Sequence, residues 1–327
     1  MTDRLTNRLT DGDGKAQAET AGIRDFAQFN VRDSFSIPAT DSPMAGGAPV
    51  NGSQAPQRVS KRQLAETDSR LGERDRQLLA AVQQYRYLMT GQIQRLLFTD
   101  AANPSAGLRA ASRSLKKLSG YGLVDSLSRR IGGVRAGSGS FIWHLTHAGE
   151  RLLRLHDGKA SPMRKHYEPS PYFLAHTLAV AEIAIQLTEI CREHTPQITA
   201  LQLEPECWRA YSNAGVSYSL KPDLYAATAT EEYEDRYFIE VDLDTESPAK
   251  VIEKCQKYHA YYRSGLEQEK SEMFPLTVWV VPSITRKEKL IRHLREAFDK
   301  QAKLFAVITC DELEHLVLDG GDRKMLC

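Results

Sequence analysis

Residues 222–242 open with Pro222-Asp223-Leu224-Tyr225-Ala226-Ala227-Thr228, pass through a polar stretch, and close with Tyr237-Phe238-Ile239-Glu240-Val241-Asp242. Alternation in the closing run puts Glu240 and Asp242 on one face of a strand and Ile239, Val241 and Leu243 on the other, toward a core. Asp223 falls on the preceding strand, read over 218–228. Carboxylates gathered against apolar backing are costly unless a cation neutralises them. Asp223, Glu240 and Asp242 are therefore expected to hold Mg²⁺ or Mn²⁺. Such an ion prefers oxygen ligands, polarises a scissile phosphate and acidifies a bound water.

Working outward, a helix is expected from about Tyr172 to Glu193, followed by strands at 199–207, 218–228 and 237–244. Ser247 as N-cap with Pro248 at the first helical position starts a helix that runs to Ser264. A strand at 276–282, an amphipathic helix at 286–303 and a buried strand at 305–310 complete an αβββαβαβ order. That order describes an α/β domain with a mixed sheet, over 165–318.

The preceding region, 61–158, reads differently. Leu78, Leu79, Val82 and Tyr85 recur at helical spacing, a short helix capped by Thr90 follows, and a third helix runs from Ala106 to Ser119. Strand-like runs at 123–130 and 140–146 flank a glycine-rich tip, and a helix from His147 follows. Three helices and a β-hairpin are the order of a winged helix-turn-helix. Residues 61–157 hold 16 Lys/Arg against 8 Asp/Glu, a net of +8, whereas 158–327 carry a net of −6. A basic module beside an acidic one points to polyanion binding by the first. The third helix offers Arg109, Arg113, Lys116 and Lys117, of which Arg109, Arg113 and Lys116 or Lys117 share one face, opposite Leu108, Ala111, Leu115 and Leu118. The wing adds Arg129, Arg130 and Arg135, so this module is expected to read double-stranded DNA.

Residues 1–60 have the composition of a disordered tail. The start carries neither a secretory nor a transit pattern, so the expected location is the cytoplasm, with no membrane partner. Cys191, Cys207, Cys255, Cys310 and Cys327 never form a C-x-x-C pair, which argues against a zinc site or a disulfide framework. No Gly-Lys-Ser/Thr follows the wing glycines, so they are not a phosphate loop.

Pro222-Asp223 followed by Glu240-x-Asp242, set within αβββαβ, resembles the PD-(D/E)xK restriction-endonuclease-like core. His176-x-Leu178-Ala179-Val180-Ala181-Glu182 before it, Thr245-Glu246 and Lys254-x-x-x-Tyr258 after it, and a winged helix in front together resemble the replication-relaxation family. That family is similar to the C-type mobilisation relaxases of plasmids. The resemblance implies that Asp223 and Glu240 are metal ligands and that Asp242 occupies the place of a catalytic lysine. Asp242 would then add to metal binding, and Lys254 would supply the missing cation. Glu182 or His176 would orient water or a second metal, with a structural role for His176 as the alternative. Tyr258, Tyr261 and Tyr262 raise a second mechanism, a phosphotyrosine link, against which aromatic packing is set.

The implied activity is that of a nicking relaxase of a plasmid or integrative element. It would act at an origin of transfer or replication, with an accessory mobilisation protein or a coupling ATPase as possible partners. The competing reading is a non-catalytic DNA-binding accessory or regulatory protein that keeps an inactive nuclease fold.

Overall fold

The computed structural model describes residues 59–127, 140–157, 169–213 and 215–320. The expected tail, apart from its last two residues, and the wing residues Arg129, Arg130 and Arg135 lie outside the described residues.

The first unit comprises α1 (Lys61–Asp68), α2 (Glu73–Tyr85), β1 (Leu88–Met89), α3 (Thr90–Leu97), α4 (Pro104–Gly120), β2 (Val124–Ser126), β3 (Ile142–Leu145) and α5 (His147–Asp157). The three short strands form an antiparallel sheet in the order β1-β3-β2. This is the winged-helix arrangement, with α4 as the second helix of its helix-turn-helix. Helix α1 was not foreseen, because Leu64 is its lone buried residue and leaves no period to read. A reciprocal capping box between Ser60 and Gln63 fixes its start. Thr90 is not a cap. Its hydroxyl accepts from Trp143 Nε1 at 3.0 Å, while Gln92 satisfies the amide of Met89, the true N-cap. Asn103 caps α4, whose first residue, Pro104, lies two residues before the expected start. Gly149 admits no side chain, since a Cβ there would lie 2.1 Å from the carbonyl oxygen of Leu123.

The second unit runs α6 (Pro171–Glu193), β4 (Gln197–Leu203), β5 (Arg209–Asn213), β6 (Val216–Leu220), β7 (Leu224–Ala229), β8 (Glu234–Val241), α7 (Pro248–Ser264), α8 (Leu266–Ser271), β9 (Leu276–Val281), α9 (Ile284–Phe298), β10 (Phe305–Thr309) and α10 (Leu313–Asp319). Five strands form a mixed sheet in the order β10-β9-β8-β7-β4, with β8, β9 and β10 parallel and β7 and β4 antiparallel. Alternation divides each central strand between two cores. Ile239, Val241, Val278 and Val280 pack with α6 and α10, whereas Phe238, Trp279 and Val281 pack with α7 and α9.

The expected strand over 218–228 is in fact two. Strand β6 ends at Leu220 and pairs only with β5 in a separate ribbon, and β7 begins at Leu224. Pro222 between them has no N–H to give a ladder, and its carbonyl instead accepts from Cys207 Sγ at 3.0 Å. Asp223 thus stands at the entry to β7 rather than inside a strand.

Helix α6 is, among the described helices, the one long and apolar enough to cross a membrane. The reason lies in its packing, because its apolar residues share one continuous core with both the winged helix and the sheet. Polar contacts reinforce that junction. Arg95 on α3 donates from Nε to Glu189 at 2.8 Å and also pairs with Glu182, while Gln92 Nε2 donates to the Leu178 carbonyl at 3.2 Å. Glu182 is therefore a joint between the units rather than a group that orients water, correcting the expectation placed on it.

Candidate active site

Three elements of the second unit bring chemistry to one place. Asp223 comes from the break before β7, Glu240 from the end of β8, and His176 from the first turns of α6. Helix α7 adds Lys254 and Tyr258, its buried stripe being Val251, Cys255, Tyr258 and Tyr261. The Ser247 side chain accepts from the Lys250 amide, which sets the start of α7 and with it the angular position of Lys254.

Asp223 and Glu240 are buried, with 8% and 2% exposure. Asp223 Oδ2 accepts from the Val241 amide at 2.9 Å and lies 3.2 Å from His176 Nε2. Its other oxygen has no hydrogen-bond partner among the described residues. Glu240 Oε1 accepts from the Tyr258 hydroxyl at 2.6 Å, and Oε2 lies 3.4 Å from Lys254 Nζ. Lys254 also reaches Glu246 at 3.4 Å, and its ammonium sits 5.5 Å from the Trp279 ring centre.

The electrostatics follow from that packing. Burial, then the negative charge of Asp223, push Glu240 well above the usual carboxylate range, against the pull of Lys254 and Tyr258. Burial disfavours a charged imidazole at His176, but the hydrogen bond and charge of Asp223 outweigh it and raise the group above its ordinary value. Burial opposes the Lys254 ammonium as well, yet Glu240, Asp223 and Glu246 keep it firmly protonated.

Asp242 does not join this set. It shares the Glu240 face of β8, as alternation requires, but lies one residue past the strand's last and is taken by α9. Arg286 Nε lies 2.6 Å from Asp242 Oδ2, and Asp242 Oδ1 accepts from the Asp244 amide at 2.9 Å. Its charge is already neutralised by a close, fully buried guanidinium, so Asp242 is not a third metal ligand, which corrects the sequence expectation. Among the described residues no group of three or more His, Cys, Asp and Glu side chains is arranged to hold a metal ion. What remains is a pair, Asp223 and Glu240. Two carboxylates fit a hard cation that keeps most of its waters, as Mg²⁺ does, rather than an ion caged by protein.

Of the tyrosines, Tyr258 is buried behind Glu240, and Tyr261 donates its hydroxyl to Glu267 at 2.7 Å. Neither is presented as a nucleophile. Tyr262 is exposed beside the ring of Phe274.

In the winged helix, Arg109, Arg113 and Lys116 stand exposed on α4. Lys117 does not stand free with them, because its ammonium lies 2.6 Å from buried Asp75, which also caps α2 through the Gly72 amide. Leu108, expected in the core, is 43% exposed, and Gly107 takes the buried position against α3.

A small cleft of about 50 Å³ opens between the two units. Gln84, Tyr85 and Arg86 line it from the winged helix, and His176 and Asp223 from the acid site. Arg86 and the acid pair are too far apart in the sequence for any spacing rule to join them. Arg86 and Asp223 line one cleft because α6 is shared by both cores.

No curated protein matches the chain by sequence. A solved structure of the restriction endonuclease FokI bound to DNA is similar at 13% identity and a TM-score of 0.24, covering 81% of this chain and 46% of that one. The chain thus spans less than half the length of that enzyme, and the correspondence is too loose to argue from. The replication-relaxation family profile, by contrast, matches residues 79–277, more than half the chain. That span encloses most of the winged helix together with Asp223, Glu240 and Lys254, and the chain belongs to the replication-relaxation family.

Proposed function

We propose that the chain is a relaxase-type nicking endonuclease. It binds double-stranded DNA at an origin of transfer or replication through the winged helix and breaks one strand at Asp223 and Glu240. The observation that carries this reading is the meeting of two buried carboxylates with a lysine ammonium, one of the carboxylates, Asp223, lining a cleft bordered by the winged helix. Family membership supports the setting, replication or the mobilisation of a plasmid or integrative element.

Asp223 and Glu240 would hold Mg²⁺ or Mn²⁺, which when bound supplies Lewis acidity toward the scissile phosphate. The chain's own groups do the rest. Lys254 offers a positive charge where phosphate charge builds up, and Tyr258 orients the Glu240 carboxylate. His176 holds Asp223 through Oδ2 and leaves Oδ1 open.

The test is supercoiled plasmid carrying the native origin, incubated with Mg²⁺ or Mn²⁺ and the purified chain. Open circles are expected from the wild type, and Asp223→Asn should lower their rate by about a thousand-fold, the scale of removing a principal electrostatic group. No circles from wild type, or undiminished nicking by the variant, would favour the non-catalytic accessory reading. Because Tyr258 is buried, the nicked strand should carry no protein after denaturation, and Tyr258→Phe should still nick. An adduct that persists in detergent would restore the tyrosine mechanism.

The reader is tested separately. Arg113→Ala should weaken binding to the origin duplex and reduce the salt dependence by about one phosphate contact, measured as the slope of log affinity against log salt. An unchanged slope would remove α4 from the DNA interface. Any coupling ATPase or accessory protein would join an assembly that this binding nucleates.

A further inference from the structure

Arg86 is the feature of the cleft that neither the fold nor the acid pair explains. It follows the last residue of α2 with φ +67° and ψ −51°, and the Tyr87 amide donates across it to the Tyr85 carbonyl at 2.8 Å. This is a γ-turn of the positive-φ kind, rare and strained for a residue with a side chain. Glycine would sit there without strain.

The turn sends the side chain across the junction, where its guanidinium lies 5.3 Å from the ring centre of Phe173 on α6. Phe173 lies one turn before His176, and both line the cleft that ends at Asp223. Among the described residues the Arg86 guanidinium has neither a hydrogen bond nor an ion pair, and it stands over the Phe173 ring. An aromatic ring takes none of its N–H groups as a carboxylate would, so they are left for a ligand, and a guanidinium can take two oxygens of a phosphate at once. The cleft has about 50 Å³ open to water-sized groups, room for a phosphate group but not for a duplex.

We infer that Arg86 and Phe173 form a phosphate-binding station for an unpaired segment of the DNA strand, next to the acid pair. The winged helix would hold the duplex, and the cleft would take one phosphate of the strand that has left it. This inference rests on the nuclease reading for the identity of the strand. Its test does not require cleavage.

The full chain, in buffer with a chelator, is titrated into a fluorescein-labelled single-stranded oligonucleotide and into the same sequence as a duplex. Arg86→Ala and Arg86→Gly should each weaken single-strand binding by roughly ten-fold or more, the scale of losing charge-assisted hydrogen bonds. Duplex binding should stay within two-fold. Arg86→Lys should recover only part of the loss, because an ammonium keeps the charge without the planar fork. Arg86→Gly should melt at or above the wild-type temperature, since it relieves the turn.

The proposal is overturned if wild type shows no single-strand binding, or if the variants bind the single strand as wild type does. Equal losses on duplex and single strand, or a lowered melting temperature for Arg86→Gly, also overturn it. A chain that never nicks but shows the selective loss keeps the station and drops the nuclease. A chain that nicks, with single-strand binding indifferent to Arg86, does the reverse.

Discussion

Replacing Lys254 by alanine is expected to lower nicking of supercoiled origin DNA by a hundred-fold or more while leaving duplex affinity unchanged. Asp242 stands where a PD-(D/E)xK core would carry its lysine, and Arg286 has already neutralised it. The positive charge nearest Glu240 is therefore Lys254, 3.4 Å away and reaching from the following helix. A carboxylate pair without that ammonium binds a cation more readily but loses the charge beside Glu240 that would stabilise the phosphate. Removing one preorganised donor of this kind from an active site costs on the order of 10²–10³ in rate. Lys254→Arg should recover part of the activity, since charge is kept while the reach changes. A structural lysine would give a different pattern, a lower melting temperature with nicking reduced only in proportion to folded protein. Wild-type nicking rates in Lys254→Ala would transfer the catalytic burden elsewhere and undo the assignment.

The sequence made Lys254 legible because two periods coincide. Ser247-Pro248 starts a helix at a definite residue, and counting from that start puts Lys254 on the flank of the buried Val251, Cys255, Tyr258 stripe. Alternation in β8 likewise put Glu240 on the face that α7 covers. What alternation cannot show is which carboxylate a distant cation will claim. Glu240 and Asp242 look equivalent along the strand, and only the packing of α9, more than forty residues later, separates them. The same limit hid the partners of Glu182 and Lys117. Each is an exposed-looking charge whose counterpart lies on an element far away in sequence, Arg95 and Asp75 respectively. Strand β5 and helices α1, α8 and α10 escaped for another reason. Each is short; β5, α1 and α8 bury one residue or none, and in α10 the helical spacing of Leu313, Leu316 and Val317 lasts a single turn, so no sustained period rises above the surrounding sequence.

Arg286→Met is expected to destabilise the fold by about 3–5 kcal/mol, the range for leaving one partner of a buried ion pair uncompensated. Arg286 is 3% exposed and Asp242 5%, so neither charge can turn to water for relief. The guanidinium also donates from Nη2 to the Glu246 carbonyl at 2.7 Å, and its Nε lies 3.3 Å from Asp244. It thereby closes the turn between β8 and α7, in which Asp244 adopts φ +59°. That turn carries Glu246, whose side chain steadies Lys254 at 3.4 Å. Loss of Arg286 should therefore be felt twice, as a lower midpoint in urea unfolding and as nicking that falls further than the folded fraction does. Burial already raises Asp242 despite Arg286, so in the variant the acid is pressed harder toward its neutral form. A group whose folded pKa is raised destabilises the fold above its unfolded pKa, about 3.9 for aspartate, and ceases to do so below it. The stability gap between variant and wild type should accordingly narrow as pH falls toward 4. Pairing Arg286→Met with Asp242→Leu removes the orphaned charge and should restore much of the urea midpoint without restoring nicking. If the double variant regains nicking along with stability, the turn does not position Lys254, and the route from Arg286 to the acid pair is wrong.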